Sequence, residues 1–86
     1  MIDKLLLKIR NDMGLNQKDF ADKLGVTRQY LCDVERGRRF IGVDLASRFA
    51  ANIDYSEREF IQTVLQEMIN RTGLKYTVVV KRKKND

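Results

Sequence analysis

Four glycines divide the chain into short segments, and their spacing is the strongest constraint on what it can fold into. Gly14, Gly25, Gly37 and Gly73 each follow a stretch in which apolar residues recur at helical spacing. Glycine commonly follows a helix C-terminus because it adopts the left-handed backbone conformation without steric cost. The chain also contains no proline. The pattern predicts a mainly α-helical protein built from short helices.

Polar residues that cap helix N-termini mark where these helices begin. Asn16 precedes the second predicted helix and Thr27 the third, and both residue types are preferred at that position. Ser56, with Glu59 three residues later, forms a capping box before the fifth helix. The predicted helices cover about residues 3–13, 17–24, 28–36, 43–52 and 57–72.

The segment from Lys75 to Lys81 reads KYTVVVK and, being rich in β-branched residues, predicts a β-strand. The sequence offers no second strand to satisfy its backbone hydrogen-bonding groups. We therefore expect antiparallel pairing with the same segment of a second copy, while addition to a sheet of another protein and a frayed tail are the alternatives. The basic run at 81–84 is typical of a solvated end, or adds nonspecific affinity for a polyanionic partner.

The fifth predicted helix carries a wide apolar stripe, which we expect to pack across the dimer axis or beneath the strand. Residues 1–54 and 55–86 then form two units, of which the second is a dimerisation element with a basic tail. The predicted dimerisation residues are Phe60, Ile61, Val64, Leu65, Met68, Tyr76, Val78 and Val80.

Composition excludes several classes of function. The 86 residues include 17 basic and 12 acidic side chains, a net charge of +5 that favours polyanionic partners. There is no histidine and only one cysteine, which removes the common nucleophile pairs and the commonest metal ligand. We expect no enzymatic activity, no cofactor and no metal. No apolar run approaches the roughly 20 residues that span a bilayer, and a single cysteine suits the reducing cytoplasm.

The third predicted helix separates its side chains into two faces. Leu31 and Val34 fall on the apolar face, whereas Arg28, Gln29, Cys32 and Asp33 fall on the other. Arginine offers paired donors to guanine, glutamine a donor and an acceptor to adenine, and aspartate an acceptor to the cytosine amino group. A solvated face is the plainer interpretation, and Asp33 is equally suited to orienting Gln29, four residues before it.

The spacing across the second and third helices resembles that of a known family over about residues 4–54. The residues that carry the resemblance are Arg10; Leu15, Asn16 and Gln17; Phe20 and Ala21; Lys23, Leu24, Gly25, Val26 and Thr27; and Val34, Glu35, Arg36 and Gly37. They are similar to the helix-turn-helix domain of phage repressors and Cro proteins, the XRE-like regulators. The resemblance implies a bundle of five short helices whose third helix reads the DNA major groove. It also implies that residues 1–54 form the helix-turn-helix DNA-binding domain.

The resemblance also implies roles for individual side chains. Base reading falls to Arg28, Gln29, Cys32 and Asp33. The predicted phosphate contacts are Asn16, Gln17, Thr27, Arg36, Arg38 and Arg39. For the three arginines, which cluster just past the third helix, a solvated loop is the alternative.

Two further implications concern the domain interior and its loops. Gln17 is placed to brace residue 28, and Arg10 is expected to pair with Glu35, because a lone charge on the buried side of a helix is costly. The chain departs from the family pattern at Ile41 and Gly42, where members commonly carry proline and serine, and at Asp54, where they carry glycine.

We therefore predict a homodimeric, sequence-specific DNA-binding regulator of bacterial or phage origin that acts as a repressor at a palindromic operator. Two recognition helices would enter successive major grooves with half-sites about 10 bp, or roughly 34 Å, apart. Activation through a contact with polymerase is not distinguished from repression. The alternative function is an antitoxin or similar interaction protein that captures a toxin through the fifth helix or the strand and regulates its own gene.

Overall fold

A computed structural model describes residues 1–83 and contains five helices in this part of the chain. They are α1 (Ile2–Met13), α2 (Gln17–Leu24), α3 (Arg28–Glu35), α4 (Val43–Asn52) and α5 (Glu57–Arg71). The predicted mainly α-helical fold is confirmed. The predicted bounds hold at α2 and α4 and differ by one residue at one end of each of the others.

Side-chain caps begin three of the helices as the sequence predicts. The side-chain oxygen of Asn16 accepts a hydrogen bond from the backbone N–H of Asp19 at 2.8 Å. The Thr27 hydroxyl accepts from the N–H of Tyr30 at 3.0 Å, and the Ser56 hydroxyl starts α5 in the same way. Each cap satisfies an N–H group that has no partner within its own helix, which is worth about 1 kcal/mol.

One apolar core collects side chains from all five helices and from the loop before α4. Within residues 1–83, no polar or charged residue, counted as a whole with its backbone, is as fully buried as these apolar residues. Removing these apolar surfaces from water supplies the main stabilising free energy, about 1.5–3 kcal/mol for each large side chain. The core residues are Ile2, Leu6, Ile9, Phe20, Ala21, Leu24, Leu31, Val34, Ile41, Ala46, Phe49, Ala50, Phe60 and Val64.

The turn between α2 and α3 depends on Gly25. Its φ angle is 81°, and its N–H and that of Val26 both bond to the Ala21 carbonyl, at 2.9 and 3.0 Å. The side-chain amide of Asn52, at the end of α4, donates to the Leu24 carbonyl at 3.0 Å. The turn is therefore fixed both by its own backbone and by α4.

The predicted C-terminal β-strand is wrong. No strand or sheet occurs among residues 1–83, and the segment after α5 instead runs back along that helix. The Gln66 side chain accepts from the Val78 N–H at 2.7 Å and donates to the Tyr76 carbonyl at 2.8 Å, while Gln62 accepts from the Val80 N–H at 3.4 Å. These glutamines satisfy backbone groups that the strand prediction assigned to a second strand, so the expected two-chain ribbon has no basis in this fold.

The residues predicted for dimerisation do not share one surface. Phe60 and Val64 are 0% and 2% exposed and belong to the core of their own chain. Ile61, Leu65, Val78 and Val80 are half-buried, whereas Met68 and Tyr76 are 46% and 69% exposed. Lys84, the last residue of the basic run, and residues 85–86 of the predicted C-terminal unit lie outside the described residues.

No helix within residues 1–83 is both long enough and apolar enough to cross a membrane.

Asp54 follows α4 with φ at 54°, the left-handed region that favours glycine. We predict that Asp54→Gly raises the free energy of unfolding by about 0.5–1 kcal/mol, because glycine has no Cβ to crowd the backbone there. Asp54→Ala should lower it by about 0.5 kcal/mol, since alanine lacks the local hydrogen bonding that lets aspartate tolerate this conformation. Urea denaturation followed by circular dichroism measures both, and equal stabilities for the two variants would contradict the steric explanation.

Candidate nucleic-acid interface

Helix α3 is seated on the core by one face and leaves the other outside. Leu31 and Val34 are each 1% exposed, whereas Arg28 and Gln29 at the N-terminal end are exposed. The Thr27 cap fixes where this helix begins. The sequence thus places a short, capped helix with its polar N-terminal half directed away from the protein.

The four side chains predicted to read bases follow helical spacing along the outward side of α3. Cys32 and Asp33 lie one turn beyond Arg28 and Gln29 and are half-buried. The Gln29 side-chain nitrogen donates to Asp33 Oδ1 at 3.1 Å. The structure therefore joins two of the four in a hydrogen bond on the surface of the helix.

Glu35, at the end of α3, accepts hydrogen bonds from two other elements. Arg10 of α1 donates from Nε to Oε2 at 2.8 Å and from Nη2 to Oε1 at 3.3 Å, and Gln17 of α2 donates to Oε1 at 3.0 Å. Arg10 also donates to the Leu15 carbonyl at 3.2 Å. The ion pair expected inside the domain is present, and the Gln17 amide bonds to Glu35 instead of bracing Arg28.

An arginine cluster lies just beyond α3. Arg36, Arg38 and Arg39 are all exposed, and the backbone N–H of Arg38 bonds to the Asp33 carbonyl at 2.8 Å. The guanidinium of Arg39 lies 4.7 Å from the ring centre of Tyr30 on α3, a cation–π contact. These contacts hold the loop beside α3.

The phosphate contacts predicted at helix starts lie on the outside of the protein. Asn16 and Thr27 are exposed, although each spends one side-chain oxygen lone pair on its cap. Gln17 is half-buried, and its amide is bonded to Glu35. The backbone amides of the first turns of α2 and α3 accompany these side chains, and such groups favour anions.

Three contacts escaped sequence reasoning. The ring of Tyr30 supports Arg39, and the guanidinium of Arg71 lies 3.7 Å from the ring centre of Phe40, which connects α5 to the loop after α3. Asn52 closes α2. Each contact joins residues that belong to different elements and follow no periodic pattern, so no local sequence signal predicts it.

Within residues 1–83, no three side chains of the metal-ligating types His, Cys, Asp and Glu are grouped so that they could hold a metal ion.

Helix α3 with its Thr27 cap and the turn at Gly25 form a helix-turn-helix domain together with the hydrogen bonds from Arg10 and Gln17 to Glu35. We call this last set of bonds the brace at Glu35. A model of the helix-turn-helix family matches residues 6–60. An uncharacterized HTH-type transcriptional regulator of Methanothermobacter thermautotrophicus is 35% identical over 60 residues, covering 70% of this chain and 83% of that protein.

A solved structure with the same fold comes from Nostoc punctiforme and is described as an antidote protein of a plasmid maintenance system. It is 27% identical to this chain, with a TM-score of 0.62, and the match covers 83% of this chain and 81% of the other. The chain belongs to the helix-turn-helix family, which confirms the resemblance to XRE-like regulators. It is accordingly a DNA-binding protein and not an enzyme.

The brace at Glu35 should contribute measurably to stability. The Glu35 side chain is 5% exposed and the side chain of its partner Arg10 is 18% exposed, so Glu35→Gln leaves a mostly buried cation without a charged partner. We predict a loss of about 2 kcal/mol in the free energy of unfolding, measured by urea titration.

The matched control for this substitution is an exposed ion pair. Lys18 and Asp22 are 3.6 Å apart with 73% and 66% of their side chains exposed. Asp22→Asn should cost less than about 0.5 kcal/mol. Similar losses for Asp22→Asn and Glu35→Gln would show that burial does not strengthen the brace.

Proposed function

We propose that this protein is a transcriptional regulator that reads a palindromic operator as a homodimer, through the outward face of α3. The observation that carries the proposal is the placement of Arg28 and Gln29. Both are exposed at the capped start of a helix whose opposite face is held in the core by Leu31 and Val34. A helix of this kind fits the major groove, where arginine and glutamine distinguish bases.

Phosphate contacts would position the helix in the groove. Arg36, Arg38 and Arg39 extend from the end of α3 into the following loop, and Arg39 is held against Tyr30. Asn16, Gln17 and Thr27 stand at the N-termini of α2 and α3. These groups supply affinity that is independent of sequence. With four or five such contacts, the logarithm of affinity should fall with the logarithm of salt concentration at a slope of about −4.

A pair of arginine substitutions separates base reading from phosphate binding. Arg28→Ala should cost about 1–3 kcal/mol at the preferred sequence and relax the preference at one base pair. Arg38→Ala should weaken binding to all sequences about equally and reduce the salt slope by about 1. Fluorescence anisotropy on labelled duplexes at several salt concentrations measures both effects. Identical behaviour of the two variants across sequences would remove the assignment of base reading to α3.

Dimerisation is proposed through the part of α5 that the core leaves uncovered, together with the segment beside it. Ile61 and Leu65 are half-buried, and Met68 and Tyr76 are largely exposed. Apolar side chains that remain exposed on the surface of a helix and beside it favour a contact with another chain, here a second copy. Repression would follow from occupation of the promoter by the dimer.

The dimer proposal predicts the form of the binding site. Selection from a random DNA pool, followed by footprinting, should return two inverted half-sites with centres about 10 bp apart. Met68→Glu should yield monomers in size-exclusion chromatography with light scattering and lower operator affinity, because it places a charge in the contact. The control Met13→Glu alters a methionine of similar exposure on α1, 40% against 46% for Met68, and should leave the dimer intact. A monomeric wild-type protein that protects one half-site would contradict the proposal.

A second candidate function is favoured by the similarity to the Nostoc punctiforme antidote protein. In this role, the α5 surface and residues 74–83 would bind a small toxin while α3 regulates the gene pair. Co-expression with the product of an adjacent small gene tests it. Relief of toxicity with formation of a stable complex supports the antidote role, and the absence of both removes it.

A further inference from the structure

Gln29 and Asp33 form a hydrogen-bonded pair one helical turn apart on the outward side of α3. The Gln29 side-chain nitrogen donates to Asp33 Oδ1 at 3.1 Å. A glutamine amide has two orientations of almost identical shape, in which oxygen and nitrogen exchange places. An ionised carboxylate only accepts hydrogen bonds, so only the orientation with nitrogen toward Asp33 is stabilised. Asp33 therefore selects one of the two orientations of Gln29.

The selected orientation leaves a defined pair of groups facing outward. The Gln29 nitrogen has spent one hydrogen on Asp33 and retains the other, and the amide oxygen forms no hydrogen bond with another residue of the 1–83 segment. The remaining donor and acceptor match adenine, which presents an acceptor and a donor side by side in the major groove. Guanine presents two acceptors and does not match.

We propose that Asp33 is a positioning residue that fixes the Gln29 amide for adenine, and so determines one base pair of the operator. The inference rests on the proposed role of α3 in reading DNA. It assigns to Asp33 an action through Gln29 and no base contact of its own. The burial of the two residues agrees with this assignment, because Gln29 is exposed whereas Asp33 is half-buried.

The test measures which base pair the full protein chain prefers at each position of the operator. The probes are a duplex selected from a random pool and all its single base-pair substitutions, bound by wild type, Asp33→Ala, Gln29→Ala and the double variant. We expect wild type to prefer A·T at one position by about tenfold. Asp33→Ala should reduce that preference to about threefold or less and leave the other positions unchanged.

The double variant separates positioning from direct contact. In the Gln29→Ala background, Asp33→Ala should change no base preference further, because the group that it orients is already absent. Asp33→Asn serves as a control of equal size. Its amide both donates and accepts, so it satisfies either orientation of Gln29 and should also weaken the preference for A·T. Circular dichroism melting confirms that each variant is folded.

Other outcomes would contradict either the positioning role of Asp33 or the proposed function itself. A change of preference at a C·G pair, or an effect of Asp33→Ala that persists without Gln29, would show that Asp33 contacts a base itself. An unchanged profile in both Asp33 variants would remove the positioning role and leave the proposed function standing. The absence of any base preference in the wild-type protein would overturn the proposed function together with this inference.

Discussion

The position of helix α3 relative to the rest of the domain depends on the carboxylate of Glu35. With eight residues, α3 is too short to be stable in water alone. Leu31 and Val34 attach it to the core, but the hydrophobic effect that buries them is not directional. The hydrogen bonds from Arg10 and Gln17 to Glu35 join the end of α3 to α1 and α2. Because these directional bonds converge on one end of the helix, the other end is presented outward at a defined angle.

Much of this arrangement follows from local signals in the sequence. The caps at Asn16, Thr27 and Ser56 and the glycines after α1, α2, α3 and α5 act within about one turn of chain, so helix bounds could be predicted to within about one residue. The Arg10–Glu35 pair was implied by the family resemblance, and the need of a buried charge for a partner supported it. The outward side of α3 follows from periodicity, whereas base reading by its residues stays a prediction.

The structure of the C-terminal segment could not be predicted from such local signals. Three consecutive valines carry a genuine β preference, but a strand also requires partners for its backbone groups. Here the side chains of Gln62 and Gln66 on α5 are the hydrogen-bond partners of that backbone. No sequence pattern predicts that a helix side chain will bond to the backbone of a following segment. The apolar stripe of α5 was likewise ambiguous. Its periodicity does not tell which side faces the chain's own core, and the structure assigns Phe60 and Val64 to that core.

The central claim is that α3 presents its outward face to DNA, and an NMR titration of the ¹⁵N-labelled protein with a selected duplex tests it most directly. The account predicts that the largest changes in backbone amide shifts occur at residues 27–33, with further changes at residues 16–17 and 36–39. Changes concentrated in α5 and in residues 74–83, with α3 unaffected, would contradict it.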